Sequence, residues 1–185
     1  VRGVNFQPVS LTGQMPRSER EKARITIPDA IKYIEEQTDG QISRDAWYPT
    51  PVTNVISDFV EAFTGEPKLH MPIHPACGMA TYVYVDKRDG EVHFRPISEF
   101  VDIEGFFNYL NEKVDELEKG ANRYIVGLKV VYNVLTKFIK KPTLPDGTSL
   151  RKILFNIFVR HSYDALAVFH YKFLFLGMMH FMDCL

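Results

Sequence analysis

His74-Pro75-Ala76-Cys77-Gly78-Met79-Ala80-Thr81-Tyr82-Val83-Tyr84-Val85-Asp86, continued by Lys87-Arg88-Asp89-Gly90-Glu91-Val92-His93-Phe94-Arg95-Pro96-Ile97, is the stretch whose reading decides the fold. Up to Gly78 it is a loop interrupted by prolines. Beyond it, polar and apolar residues alternate with the period of a strand. Asp89-Gly90 is a dipeptide favoured in two-residue hairpin turns, where both central positions need positive φ. Folding about that turn sets Arg88 opposite Glu91, Asp86 opposite His93 and Tyr84 opposite Arg95. Val83, Val85, Val92 and Phe94 then share the other face, which the pattern predicts to be buried.

Working upstream from the hairpin, Val52 to Phe63 carries Val55, Ile56, Phe59, Val60 and Phe63 on one helical face and stops at Thr64-Gly65-Glu66-Pro67. Trp47-Tyr48-Pro49-Thr50-Pro51 is a stiff aromatic turn. Val4 to Val9 alternates as a strand and enters the polar loop Ser10 to Arg24. Thr26-Ile27-Pro28-Asp29 then opens a short helix that stops at Asp39-Gly40. The first forty residues therefore predict strand, loop and helix, one unit of an α/β layer or barrel.

Downstream, Asp102 to Gly120 and Tyr124 to Ile139 read as helices, the second with Ile125, Leu128, Val131, Val134, Leu135 and Phe138 as its core stripe. Pro142 to Gly147 is a turn, Ser149 to Val159 a third helix and Phe169 to Leu176 a strand. The apolar segment Ala165 to Met182 carries His170, Lys172 and His180, which makes it a buried segment and not a membrane span.

At 185 residues with 45% hydrophobic and 24% charged side chains, the chain is globular and long enough to fold without staples. Two cysteines, Cys77 and Cys184, are too few for a disulfide framework. The start at Val1 has no initiator methionine and no secretory pattern, and both ends read as those of a piece of a longer chain. The net charge of −1 excludes a strong global attraction to nucleic acid. Locally the balance is uneven. Seven acids stand against two bases from Glu99 to Lys119, and eight bases against one acid from Arg123 to Arg160.

Most chemical signatures are missing, among them a glycine-rich phosphate loop, His-Glu-x-x-His and Gly-x-Ser-x-Gly, and the enzyme classes that depend on them lose weight. No catalytic residue is assigned. The best local candidate is His70-x3-His74-x2-Cys77, because imidazole and thiolate suit zinc or iron–sulfur centres. A closed site needs about four ligands, so others would come from His93, His180 or sequence beyond Leu185. The alternative is a buried structural cysteine beside a turn with surface histidines. His161 and His170, alone in apolar surroundings, are expected to be packed core histidines. Lys129, Lys137 and Lys140 form a basic stripe suited either to a phosphate or to wetting a helix face. Its breadth of adjacent apolar surface favours an amphiphile among phosphate-bearing ligands. Gln7, Ser10 and Thr12 lie where a strand runs into a loop, placed either to touch a small molecule or to form a turn.

Asn5-Phe6-Gln7-Pro8-Val9-Ser10-Leu11-Thr12-Gly13 and His74 to Asp86 together resemble an archaeal radical S-adenosylmethionine family. It is the family of the tetraether lipid synthase, whose members have also carried the name 7,8-dihydro-6-hydroxymethylpterin methyltransferase. The resemblance implies an α/β fold: the C-terminal part of a partial (β/α) radical barrel over residues 1–69, then an α+β auxiliary-cluster and substrate domain over 70–185 with a hairpin and several helices. It implies S-adenosylmethionine and [4Fe-4S] clusters as cofactors, Gln7 and Ser10 near S-adenosylmethionine, and Cys77 and Cys184 as cluster ligands. Lys129, Lys137 and Lys140 would hold the substrate phosphate.

The implied activity is carbon–carbon bond formation between archaeal ether-lipid tails. Phe169 to Met182 would line the dry cavity that such radical chemistry needs. A radical methyltransferase acting on a dihydropterin is the alternative, and a metal-stapled interaction module without catalysis is a further one. The Cys-x3-Cys-x2-Cys motif of the radical cluster is absent from the chain. The expected partner is an ether phospholipid and not nucleic acid, for a cytoplasmic protein able to associate peripherally with a membrane.

Overall fold

A computed structural model describes residues 2–9, 11, 14–88 and 90–180. They form a mixed α/β structure whose contacts divide into two units. The first gathers the segments Val1–Pro51, Pro72–Pro96 and Leu174–Leu185, and the second Val52–Met71 and Ile97–Phe173. The sequence reading drew its boundary at residues 69/70 by expected role, whereas these units interleave along the chain.

The first unit is built on a mixed sheet of β1 (Gly3–Phe6), β2 (Tyr48–Pro49), β3 (Gly78–Arg88), β4 (Glu91–Pro96) and β5 (Phe173–Met179). The order is β1-β5-β3-β2, with β4 also paired to β3. β1 is parallel to β5, with Val4 beside Leu176 and Phe6 beside Met178. β5 runs antiparallel to β3: the His180 N–H donates to the Cys77 carbonyl at 3.0 Å, and farther along the Phe175 ring meets Tyr82 at 5.3 Å. The hairpin has the expected register, Arg88 opposite Glu91, Asp86 opposite His93 and Tyr84 opposite Arg95. Gly90 has φ 84°, a backbone state that a β-branched residue resists.

The hairpin's burial corrects the expectation. Val83 is fully buried, but Val92, opposite Lys87 near the turn, is 44% exposed. On the other face Tyr84 and Asp86 are buried too. The strand is covered on both sides near its middle and uncovered near the turn, so simple alternation fails in both places.

Helix α1 (Arg17–Ala23) lies within the stretch expected to be all loop, and none of its residues is buried. Helix α2 (Ile27–Gln37) starts with a capping box in which the Thr26 hydroxyl and N–H donate to the Asp29 carboxylate at 2.6 and 2.9 Å. It ends where Asp39 and Gly40 turn to positive φ. Its Ile27 and Ile31 pack on Ile42, Ala46, Trp47, Val83, Leu176 and Met178, the core of the unit.

The second unit is helical: α3 (Asn54–Thr64), α4 (Ile103–Glu118), α5 (Arg123–Thr136), α6 (Leu150–Phe158) and α7 (Tyr163–Lys172). Asp102, Asn122, Ser149 and Ser162 each cap the helix that follows by accepting a backbone N–H. Val55, Leu110, Val126, Val130 and Val134 form its core. A Cβ on Gly127 would come within 2.8 Å of the Phe63 ring, so the absence of a side chain is what lets α5 pass that close to α3.

Three expectations fail here. The buried stripe of α5 is Val126, Val130 and Val134 with Phe138 beyond it, whereas Leu128 is 73% exposed and Ile125 is also exposed. α7 occupies residues expected to be loop and the start of a strand, and β5 begins only at Phe173. His161 is exposed with φ 50° just past α6, not packed in a core, while the His170 ring contacts Phe169. Among the described residues no helix is long and apolar enough to cross a membrane.

The turn before α6 carries a pH-dependent contact. Asp146 accepts from the Lys172 ammonium and, at 3.0 Å, from the Thr148 N–H. Burial pushes its carboxyl up, but Lys172 and Thr148 outweigh that and bring it down to about 2. A folded-state pKa below the unfolded value of ~3.9 stabilises the fold above that value, and this contribution fades as pH falls through the folded pKa. With the two side chains 34% and 31% exposed, screening limits the effect to roughly 1 kcal/mol. Denaturant unfolding of Asp146→Asn should therefore show a deficit of that size at neutral pH that closes as pH drops from about 4 to about 2. A deficit independent of pH would refute the assignment.

Candidate ligand-binding site in the first unit

The capped start of α2 and the start of β3 flank a cavity in the first unit. The Thr26–Asp29 box fixes the first turn of α2, and a 3-10 turn over Pro75–Cys77 leads into β3. His74 closes that turn, its Nδ1 accepting the Ala76 N–H at 3.2 Å. Between them lies a cavity of about 470 Å³ lined by Ile27, Pro28, Asp29, Ile31, Lys32, Arg44, Ala76 and Met79. Its walls are apolar, with one carboxylate and two cations as polar groups. The Thr26 side-chain and backbone hydrogen bonds hold Asp29 below the ordinary carboxylate range, with smaller help from Lys32 and Arg24, so it is ionised at neutral pH. Lys32 stands 3.8 Å from Glu36, and Arg44 pairs with Glu35 at 3.2 Å. Such a space, walled by apolar groups with a few charges, suits a small ligand with polar edges.

The residues singled out in the sequence are placed as follows. Gln7 is exposed just past β1. Because Phe6 lies beside Met178, Gln7 leaves the sheet at the same end where β5 finishes and β3 begins. Cys77 is a free, half-buried thiol at that end. Ser10, Thr12 and Cys184 lie outside the described residues. In the second unit, Lys129, Lys137 and Lys140 are all exposed. The Glu116 carboxyl is held down chiefly by its hydrogen bond from Lys113, with a smaller contribution from Lys129; Lys137 lies over the Phe138 ring, and Lys140 donates to the Ser98 carbonyl at 3.2 Å. Lys141 pairs with Glu99 at 2.8 Å, so part of the acidic block meets the basic one. His70 is bound to Asp58 at 2.7 Å, and that hydrogen bond holds its pKa up.

The second unit has a smaller cavity of about 320 Å³, with Ser149, Lys152 and Asn156 as its main polar groups. Phe173, Leu176 and Met178, expected to line a dry channel, are packed as core. Among the described residues no group of three or more His, Cys, Asp and Glu side chains is placed to hold a metal ion. Fe–S clusters are held chiefly by several Cys thiolates, and Cys77 is the one described cysteine. The described residues do not make up a cluster-binding set.

No protein-family model matches the sequence. A Methanocaldococcus jannaschii protein named 7,8-dihydro-6-hydroxymethylpterin dimethyltransferase is 40% identical to it over 185 residues, 99% of this chain. The chain is homologous to that methyltransferase. It spans 36% of the length of the pterin dimethyltransferase, so the match is to a segment of a larger protein. The relative's name is that of a transferase enzyme. The cavity beside α2 falls within this homologous segment, as do Gln7 and Cys77. Sequence reasoning missed most of the cavity's lining. Its one available signal was the Thr26-Ile27-Pro28-Asp29 cap, which fixes Asp29 in the first turn of α2.

Proposed function

We propose that the chain is part of a radical S-adenosylmethionine methyltransferase and helps to bind a dihydropterin, the substrate class in its relative's name. The observation that carries this reading is the 40% identity, which runs over 99% of the chain. The cavity supports it. A dihydropterin is a flat heterocycle edged with ring nitrogens, an amino group and a carbonyl, and it needs apolar walls with a few fixed polar groups. Ile27, Pro28, Ile31 and Met79 supply walls, Asp29 an acceptor, and Lys32 and Arg44 donors. Asp29 ionised at neutral pH is suited to accept the amino group and a neighbouring ring N–H.

A second reading, coupling of ether-lipid tails, is favoured by the exposed apolar side chains Tyr124, Ile125, Leu128 and Tyr132 on α5, which lie on the helix that carries Lys129. One experiment separates the two. The full-length protein is incubated anaerobically with a reductant, methyl-labelled S-adenosylmethionine, 7,8-dihydro-6-hydroxymethylpterin and an archaeal ether phospholipid. Label in the pterin supports the first reading. Coupled lipid tails with an unlabelled pterin would replace it with the second, and neither product would leave a non-catalytic module.

A further inference from the structure

We propose that the cavity between α6 and α7 binds the phosphoryl group of a small phosphate monoester, with Ser149, Lys152 and Asn156 as its donors. The cavity encloses about 320 Å³, near the lower end of the range for small-molecule sites. Ser149, Lys152 and Asn156 follow one another at helical spacing from the cap of α6 onward, so they share one face of that helix, and all three line the cavity. The turn that leads into α6 is held by its own backbone. The Leu144 N–H donates to the Thr148 carbonyl at 2.8 Å, and the Leu150 N–H to the Pro142 carbonyl at 2.9 Å. The donors are therefore set in place before a ligand arrives, which lowers the cost of ordering them.

The chemistry of the lining selects an anion with an apolar body. Neither the Lys152 ammonium nor the Asn156 amide has a hydrogen-bond or ion-pair partner among the described residues. The Ser149 Oγ accepts the Lys152 N–H at 3.2 Å, which leaves its own proton to donate. Among the described residues no carboxylate lines the cavity. Asp146, the one acid between Arg123 and Arg160, accepts from the Thr148 N–H and is paired with Lys172, so its charge is offset. Asp164 is exposed in the first turn of α7 and is not part of the lining. An ammonium, an amide N–H and a hydroxyl spread along one face can each meet a different oxygen of a tetrahedral phosphoryl group, whereas a planar carboxylate offers two oxygens. Ile153, Ala165 and Val168 form the rest of the wall and suit the carbon-bearing end of the ligand. The site lies within the second unit and does not depend on the pterin reading.

The test reads Lys152 itself, so other phosphate-binding sites of the full-length protein do not confuse it. That protein is treated with a limiting amine-acetylating reagent, with and without phenyl phosphate, and acetylation of the Lys152 and Lys129 peptides is followed by mass spectrometry. Saturating phenyl phosphate is expected to slow acetylation of Lys152 about tenfold and to leave the exposed Lys129 unchanged. Asn156→Leu should weaken the protecting affinity about tenfold, the order of one lost hydrogen bond to a charged group. Asn156→Asp keeps the side chain's size and sets a negative charge against the ligand, so it should abolish protection in a chain that still folds. Equal acetylation with and without phenyl phosphate, equal slowing at Lys129, or equal protection in Asn156→Asp and the parent would overturn the proposal. So would protection by benzoate or by inorganic phosphate at the concentration at which phenyl phosphate protects.

Discussion

Phe173→Ala is expected to lower the unfolding free energy by about 3–5 kcal/mol, the range for deleting a buried aromatic ring. The side chain is 1% exposed. Its ring stacks on Phe169 at 4.7 Å between centroids and meets Phe100 edge-on at 6.0 Å, and Phe100 is fully buried as well. Removing it leaves a void that rigid aromatic neighbours fill poorly, which adds a cavity cost to the lost transfer free energy. Against a total stability of about 5–15 kcal/mol, that is a large share. Guanidinium unfolding followed by circular dichroism measures it, with Val92→Ala as the control expected to stay within about 0.5 kcal/mol of the parent. A loss below about 1 kcal/mol at Phe173 would contradict the packing described.

The second large effect concerns activity. Ala76→Trp should cut methyl transfer to a dihydropterin at least tenfold, which is about 1.4 kcal/mol of transition-state binding, while leaving thermal stability close to the parent's. Ala76 is exposed yet lines the cavity beside α2, so a new indole has room to extend into the space without disturbing the core. An indole there would take up part of the about 470 Å³ and crowd the polar groups Asp29, Lys32 and Arg44 that a heterocycle would use. Full activity in a stably folded Ala76→Trp chain would remove this cavity from the substrate site. Weakened pterin binding by calorimetry, alongside the lost turnover, would tie the defect to the cavity.

The features legible in the sequence are those set by local chemistry. Thr26 with Asp29, Gly65, Asp89-Gly90, Asp102 and Ser149 mark ends and turns because cap and turn geometry depends on a few adjacent residues. The phase of α5 was not legible, because Tyr124, Ile125, Val126, Leu128, Val130, Val131 and Tyr132 place apolar groups on nearly every side. Only the partner across the interface chooses Val126 and Val130 for burial over Leu128. α7 was hidden by Val168, Phe169 and Tyr171, whose β-branched and aromatic side chains read as strand. The candidate site was legible in part: Cys77 and its loop stood out, and His180 was only one of several possible partners for it. Its position opposite Cys77 comes from pairing two strands far apart in the chain, and no local pattern encodes that. Lys32 and Arg44 carried no signal at all, since surface cations on helices and turns are common.

The position of β5 in the sheet has a consequence for how the chain comes to be folded. β1 and β3 are not neighbours, and the strand that joins them is the last of the five in sequence. During synthesis the hairpin and the helices of the second unit, whose contacts are largely local, can form as they emerge. β1 cannot, because its only described pairing is with β5. Completion of the sheet therefore waits for residues 173–179, and until then β1 and the β5-facing edge of β3 present open hydrogen-bonding groups to any other chain nearby. For the cell, the hazardous interval is the one between translation of β3 and translation of β5, and a binding chaperone would act there.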